Sequence, residues 1–181
     1  MLEGPNVILR LLNESDLKEL CSLWANLADR GEFFPLSLHP LAEVRKKVAE
    51  TGWWNDEQGH MLITAKDGRM LGSIFTFKAD QFRNVHEIGY SVFRPADRGQ
   101  GTMSEALRLF SAYLFEAKPV PRLQLLVAVG NAPSRRVAEK CGFRHEGVLR
   151  QYIFIRGKYH DCDILSLLRE ECPPLATALR G

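Results

Sequence analysis

The feature that most constrains this chain lies near its middle, where a strand pattern is followed by a loop with two glycines and then by a helix pattern. Ile88 to Phe93 is rich in β-branched and aromatic residues, as a buried strand is. Pro95 ends that strand, because proline has no backbone N–H to donate to a sheet. After Arg98-Gly99-Gln100-Gly101, apolar residues recur at helical spacing from Met103 to Leu114. The stretch therefore predicts a strand–loop–helix unit.

A glycine-bearing loop at the start of a helix is suited to binding an anion. The first-turn N–H groups have no partner within the helix, and the helix dipole adds partial positive charge there. Gly99 and Gly101 would let the backbone approach a phosphate, and Arg98 would add a planar cation. On the glycines alone, an ordinary tight turn is an equally good interpretation. A P-loop and a dinucleotide-binding loop fit less well, because Thr102-Met103 replaces the Lys-Ser/Thr pair and Ser104 replaces the third glycine.

At these residues the chain resembles the GCN5-related N-acetyltransferases, the GNAT superfamily. Their acetyl-CoA pyrophosphate loop is usually written Gln/Arg-x-x-Gly-x-Gly/Ala, and Arg98 to Met103 matches it except that Met103 replaces the last small residue. The flanking Glu87 to Tyr90 and Ser104 to Leu107 are similar to the branch that acetylates ribosomal-protein N-termini (RimJ/RimL-like). A second match, Asn131-x-x-Ser134 with Lys140-x-Gly142-Phe143, follows in the family's order.

The resemblance implies the GNAT fold of the α/β (α+β) class, in one domain over residues 1–181. This fold has a single mixed, strongly bent, mostly antiparallel sheet flanked by helices. The resemblance also implies acetyl-CoA as acyl-donor substrate, a primary amine as acceptor, and no metal ion. The implied cofactor-binding residues are those of the loop, of the strand before it and of the second match: Tyr90, Ser91, Val92, Arg98, Gly99, Gln100, Gly101, Thr102, Met103, Ser104 and Asn131.

Two residues are the implied catalytic groups. Glu87 begins the central strand and would take the proton from the amine, although a salt bridge at a strand edge is an almost equally good interpretation. Ser134 would protonate or hydrogen-bond the departing thiolate, and its alternative role is to support the helix start. Tyr152 and Tyr159 are second-choice acids or simply sheet aromatics. Cys141 is not favoured as an acyl carrier, because it falls on the buried side of a short helix.

Composition narrows the classes of partner, metal site and location that this chain could have. A chain of 181 residues fits one domain with a substantial core, and a net charge of +2 disfavours nucleic acid as a partner. The four cysteines form no Cys-x-x-Cys pair, and the five histidines have no ligand spacing. No signal segment and no long apolar run is evident, so we expect a cytoplasmic protein that is not bound to a membrane, either monomer or homodimer.

The acceptor is left open by the sequence. The RimJ/RimL-like features favour a protein N-terminal α-amine, and a small amine such as an antibiotic, polyamine, amino acid or aminoacyl nucleotide is the close alternative. A non-catalytic acyl-CoA-binding module is the alternative from another class. A small cation would favour an acidic pocket, for which four carboxylates lie in the right region: Glu32, Glu50, Asp56 and Glu57. Phe33, Phe34 and Leu36 form either a plug over the core or a wall on the substrate side.

Overall fold

The computed structural model describes residues 1–79 and 84–180. Eight strands form one sheet in the order β1-β2-β3-β4-β5-β6-β8-β7. The strands are β1 (Leu2–Glu3), β2 (Val7–Leu11), β3 (Gln58–Ala65), β4 (Met70–Lys78), β5 (Val85–Val92), β6 (Arg122–Ala128), β7 (Arg144–Ile155) and β8 (Lys158–Leu168). The helices are α1 (Leu17–Ala25), α2 (Leu41–Thr51), α3 (Thr102–Ala117), α4 (Ala132–Lys140) and α5 (Leu175–Ala178). The prediction of a single mixed, mostly antiparallel sheet flanked by helices is confirmed.

Two hydrophobic cores lie on opposite faces of the sheet, because side chains alternate between faces along each strand. The face that carries α3 and α4 has the larger core, around the fully buried Phe110. The other face carries α1 and α2, and its core includes Leu62 and Trp24. The adjacent Trp53 and Trp54 pack against different cores, as expected for neighbours that cannot point the same way. The sheet therefore has two differently covered faces, the α3–α4 face and the α1–α2 face.

The sequence predicts a first helix that is capped by Asn13 and has an apolar stripe of Leu17, Leu20, Cys21, Trp24 and Leu27, and helix α1 differs from this at both ends. It is preceded by a short 3-10 turn over Glu14–Asp16, in which Asp16 is buried against Arg10 at 2.7 Å. It stops at Ala25, so Leu27 lies outside the helix and is 39% exposed instead of completing the apolar stripe. Helix α2 ends at Thr51, because the next residue, Gly52, adopts the left-handed conformation that commonly ends a helix.

The sheet opens between β5 and β6, which form the parallel pair. Their pairing covers Val85↔Arg122 to Glu87↔Gln124. Beyond it β5 stays paired with β4 as far as Val92, and β6 stays paired with β8 as far as Ala128. We call the space between the unpaired ends, residues 88–92 and 125–128, the β5–β6 gap. Among the residues described, no helix has the length and apolar composition needed to cross a membrane.

Candidate active site at the β5–β6 gap

Main-chain groups of β5 point into the gap at alternate residues. The N–H of Phe93 donates to the carbonyl of Leu71 at 2.9 Å, so the odd-numbered residues of β5 bond to β4. The N–H and C=O groups of Tyr90 and Val92 therefore face β6 across the gap. Those of Ser91 face β4, so its main chain is already committed within the sheet, contrary to the role expected from the resemblance.

The opposite wall of the gap is built in the same way. The N–H of Val129 donates to the carbonyl of Asp161 at 2.8 Å, so the odd-numbered residues of β6 bond to β8. The main-chain groups of Leu126 and Ala128 consequently face β5. Both walls thus present hydrogen-bonding groups to an extended ligand that enters between them, as an added strand would.

The loop before α3 presents unoccupied N–H groups beside the gap. Gly99 and Gly101 have φ of +75° and +82°, a conformation that side-chain-bearing residues rarely adopt. A Cβ at either position would meet no atom within 4 Å, so the space above the loop is open. The N–H groups of residues 99–104 donate to no acceptor in the described part of the chain. With the dipole of the 16-residue α3 behind it, the loop is suited to an anion.

The side chains of the loop are arranged around this open space. The Arg98 guanidinium donates to the carbonyl of Asp29, and Gln100 Nε2 donates to the carbonyl of Ala96 at 2.9 Å. Met103, the departure from the family pattern, is 6% exposed and packs into the core. It therefore does not obstruct the loop. Thr102 and Ser104 are half-buried in the first turn of α3.

Helix α4 brings a hydroxyl to the gap on the α3–α4 face of the sheet. Asn131 caps the helix, since its Oδ1 accepts from the N–H of Ser134 at 3.2 Å. The Ser134 hydroxyl lies 2.9 Å from the phenolic oxygen of Tyr90, whose side chain points to the same face. Burial raises the pKa of Tyr90 to about 12, so this phenol stays protonated at neutral pH. Because Asn131 carries the cap, Ser134 is left free to use its hydroxyl for another purpose.

Glu87 lies on the other face, at the last paired residue before the gap. Its carboxylate accepts a hydrogen bond from Gln124 Nε2 at 3.1 Å. Burial raises the pKa of Glu87, and the hydrogen bond from Gln124 opposes part of that rise. No cation of the described residues lies within ion-pair distance of it, which argues against the salt-bridge interpretation. The carboxyl is thus poised to exchange a proton nearer neutral pH than an ordinary glutamate.

The two tyrosines considered as second-choice acids differ in position. Tyr152 lies where the register of β7 shifts between Leu149 and Ile153, and burial and then the charge of Glu87 raise the pKa of Tyr152. Tyr159 is 65% exposed on the hairpin, where its ring lies 5.1 Å from that of Phe154. Tyr152 therefore belongs to the surroundings of the gap and Tyr159 does not.

The segment between α1 and α2 contacts both sides of the opening of the gap. Asp29 meets Arg98 on the loop that follows β5, and the Phe33 ring lies so near Gly130, just after β6, that a Cβ at Gly130 would be 3.6 Å from it. Phe33 also packs edge-on against His160, with ring centroids 6.4 Å apart. Phe33 is in neither hydrophobic core. These contacts favour the interpretation of this segment as a wall on the substrate side.

The four cysteines are free thiols. Cys141 is buried, donates to the carbonyl of Ser104 at 3.3 Å, and has its pKa raised to about 11 by burial, so it is a poor nucleophile at neutral pH. The apolar stripe of the first helix predicts a buried Cys21, and the structure shows it half-buried. No group of three or more metal-ligating side chains occurs within residues 1–79 and 84–180.

Comparison with known proteins decides the family. The sequence profile of the acetyltransferase (GNAT) domain matches residues 6–144. This chain belongs to the GNAT acetyltransferase family. It is 30% identical to a probable N-acetyltransferase, YjcK, of Bacillus subtilis over 94% of this chain and 98% of that protein. It is also 30% identical to a putative ribosomal N-acetyltransferase, YdaF, of the same organism, over 93% and 94% of the two chains.

Solved structures agree on the fold of this acetyltransferase. Mycobacterium smegmatis RimJ, crystallised with a CoA disulfide, superposes with a TM-score of 0.77 over 96% of this chain and 87% of that chain, at 24% identity. The enzyme is therefore an acetyl-CoA-dependent N-acetyltransferase, as the sequence predicted. In this acetyltransferase Glu87 and Ser134 lie on opposite faces of the sheet, with the gap between them.

Proposed function

We propose that this acetyltransferase modifies the α-amino group of a protein N-terminus, of the ribosomal-protein type. The observation that carries the proposal is the charge around the acceptor side. Three of the four carboxylates that might have formed an acidic pocket lie beside a lysine: Glu50 beside Lys46 at 3.9 Å, Asp56 beside Lys118 at 3.7 Å, and Glu57 beside Lys78 at 3.7 Å. A polyamine would find little uncompensated negative charge there, whereas a peptide carries a single terminal amine.

Aromatic side chains near Glu87 also suit a peptide. Phe77 is the cross-strand partner of Glu87 and is 38% exposed, and Tyr152 is 55% exposed. Exposed aromatic rings beside one carboxylate offer apolar contact to the first side chains of a polypeptide. They supply no carboxylate for the further ammonium groups of a polycation.

The relatives support the same acceptor class without excluding the other. The ribosomal-protein-serine acetyltransferase of Escherichia coli is 28% identical over 58% of this chain, and the spermidine N(1)-acetyltransferase of Vibrio cholerae is 22% identical over 93%. The identity to YdaF, whose description is also ribosomal, is higher than that to the spermidine enzyme. A ribosomal acceptor would be met in the cytoplasm, and we propose that location with it.

In the proposed mechanism the main chain holds the acyl donor. The N–H groups of residues 99–104 bind the pyrophosphate, and Arg98 adds positive charge. The main-chain groups of Tyr90 and Val92 pair with the pantetheine amides, so the thioester is held in the gap between the two faces. One of these N–H groups also polarises the thioester carbonyl as charge develops on its oxygen.

Proton transfer is divided between the two faces. Glu87 takes a proton from the amine, directly or through one water, while the amine nitrogen forms its bond to the carbonyl carbon. The C–S bond then breaks, and the Ser134 hydroxyl donates to the departing thiolate. The Tyr90 hydroxyl lies within hydrogen-bond distance of both the Ser134 carbonyl, at 3.2 Å, and Ser134 Oγ, at 2.9 Å. In the proposed step Tyr90 donates to Ser134 Oγ, and the Ser134 proton then points at the sulfur. The products are an N-acetylated terminus and coenzyme A.

The test is mass spectrometry of candidate acceptors after incubation with enzyme and acetyl-CoA. A panel would contain recombinant ribosomal proteins with free N-termini, spermidine, and an aminoglycoside, each also treated with Glu87→Gln. The proposal expects a single acetyl group on the N-terminal residue of at least one protein. Turnover of only spermidine or the aminoglycoside would contradict it.

A further inference from the structure

Gln124 occupies a position in β6 that no sequence motif marks. It is the cross-strand partner of Glu87 at the last pair before the gap, so both side chains lie on the α1–α2 face of the sheet. Its Nε2 lies 3.1 Å from Oε2 of Glu87. An ionised carboxylate can only accept, so the amide must turn its NH₂ group toward Glu87. This orientation fixes where the other end of the amide points.

The carbonyl oxygen of Gln124 is left available. Its Oε1 accepts no hydrogen bond from any residue that the structure describes. It is also not one of the fully buried polar atoms that lack a partner. Ser166 is the cross-strand partner of Gln124 in β8, so the two side chains lie in one row across the same face of the sheet. Its hydroxyl already donates to Glu146 at 2.5 Å. Glu146 is in turn paired with Arg122 at 2.6 Å. The row therefore contains one open acceptor, adjacent to the candidate base.

We propose that Gln124 orients the Glu87 carboxylate through Nε2 and, through Oε1, accepts a hydrogen bond from the acceptor amine. A primary amine attacking a thioester must aim its lone pair at the carbonyl carbon. Holding one N–H at Glu87 and a second at Gln124 fixes that direction. An amine with an N-methyl group lacks the second N–H and would be a poorer substrate. Gln124 is thus a specificity-determining residue for primary amines as well as a positioning residue.

This inference rests on the proposed role of Glu87, and three variants separate its parts. Gln124→Met removes both the donor and the acceptor at similar size. Gln124→Glu keeps an oxygen for the amine but replaces the amide donor by a second carboxyl, which shares a proton with Glu87 and raises its pKa. Ser166→Ala is the matched control, because it lies in the same row and faces Glu146 instead of the amine.

The measurements are steady-state kinetics from pH 5 to 9 with a peptide and its N-methylated analogue, together with thermal melting. For Gln124→Met we expect the KM of the amine to rise about three- to tenfold, as for loss of one hydrogen bond between neutral groups. The KM of acetyl-CoA should stay within about twofold. Loss of the Gln124 donor removes what lowers the Glu87 pKa, so the acidic limb of the pH profile should move to higher pH. Gln124→Glu should show the moved limb and keep the preference for the primary amine.

The outcomes distinguish this inference from the proposed function. If Glu87→Gln loses activity while both Gln124 variants match Ser166→Ala in KM and pH profile, the role of Gln124 is wrong and that of Glu87 stands. If Glu87→Gln is fully active, both roles are wrong. If no protein N-terminus is acetylated, the acceptor class fails, and the same variants are compared on the small amine that is turned over. Equal losses of melting temperature and activity in all three variants would assign Gln124 a structural role and overturn the inference.

Discussion

Replacing Gly101 by alanine tests the phosphate loop with a built-in control. Gly101 has φ of +82° and Gly157, at the tip of the β7–β8 hairpin, has φ of +81°. A Cβ at either position meets no atom within 4 Å, so neither variant introduces a clash. Each alanine should cost about 1–2 kcal/mol of unfolding free energy for the left-handed conformation. In a chain of this length that lowers the melting temperature by roughly 2–4 °C per kcal/mol.

The two variants should differ in binding of coenzyme A. The Cβ of Gly101→Ala projects into the space where a phosphate would meet the loop N–H groups. Loss of one charge-assisted hydrogen bond is worth about 1.5–3 kcal/mol, which corresponds to a Kd roughly 10- to 100-fold higher. Isothermal titration of both variants with coenzyme A measures this difference directly. Gly157→Ala should bind as wild type does. Equal Kd values for the two variants would refute the assignment of this loop to the pyrophosphate.

The remaining predictions concern proton transfer and helix α4. Glu87→Gln should lower kcat/KM by about 100-fold or more, as loss of a general base does. In the wild type, kcat/KM should fall as the pH drops through the Glu87 pKa, which burial raises, because the base must be ionised; thiol release measured against pH checks both. Ser134→Ala should lower kcat with little change in the KM of acetyl-CoA, and Tyr90→Phe should have a smaller effect of the same kind, measured by steady-state kinetics. Asn131→Ala removes the cap of α4 and should lower stability by about 1 kcal/mol in chemical denaturation.

Local sequence signals were enough to predict the strand–loop–helix unit at the centre of the fold. Strand, glycine loop and helix follow one another within a short stretch, and each is determined by neighbouring residues. The start of helix α4 at Asn131-Ala132-Pro133-Ser134 follows from equally local residues, since proline is suited to the first turn of a helix. The α3 loop could therefore be located before the structure was known, and its main-chain N–H groups lie open as anticipated.

The remaining features depend on contacts between distant parts of the chain. Sequence alternation shows that main-chain groups of β5 switch direction at each residue, but only the register with β4 shows that Tyr90 faces the gap and Ser91 does not. Gln124 is unremarkable in its strand until it is paired with Glu87. Phe33 acquires its place as a wall from Gly130 and His160, which lie about a hundred residues away.

The position of coenzyme A in a crystal of the complex tests the central claim most directly. We expect the diphosphate at the N–H groups of residues 99–104, with hydrogen bonds of about 2.9 Å. We also expect the pantetheine between Tyr90 and Leu126, and the sulfur within reach of the Ser134 hydroxyl. A nucleotide bound elsewhere on the sheet, with the β5–β6 gap closed by side chains, would contradict it.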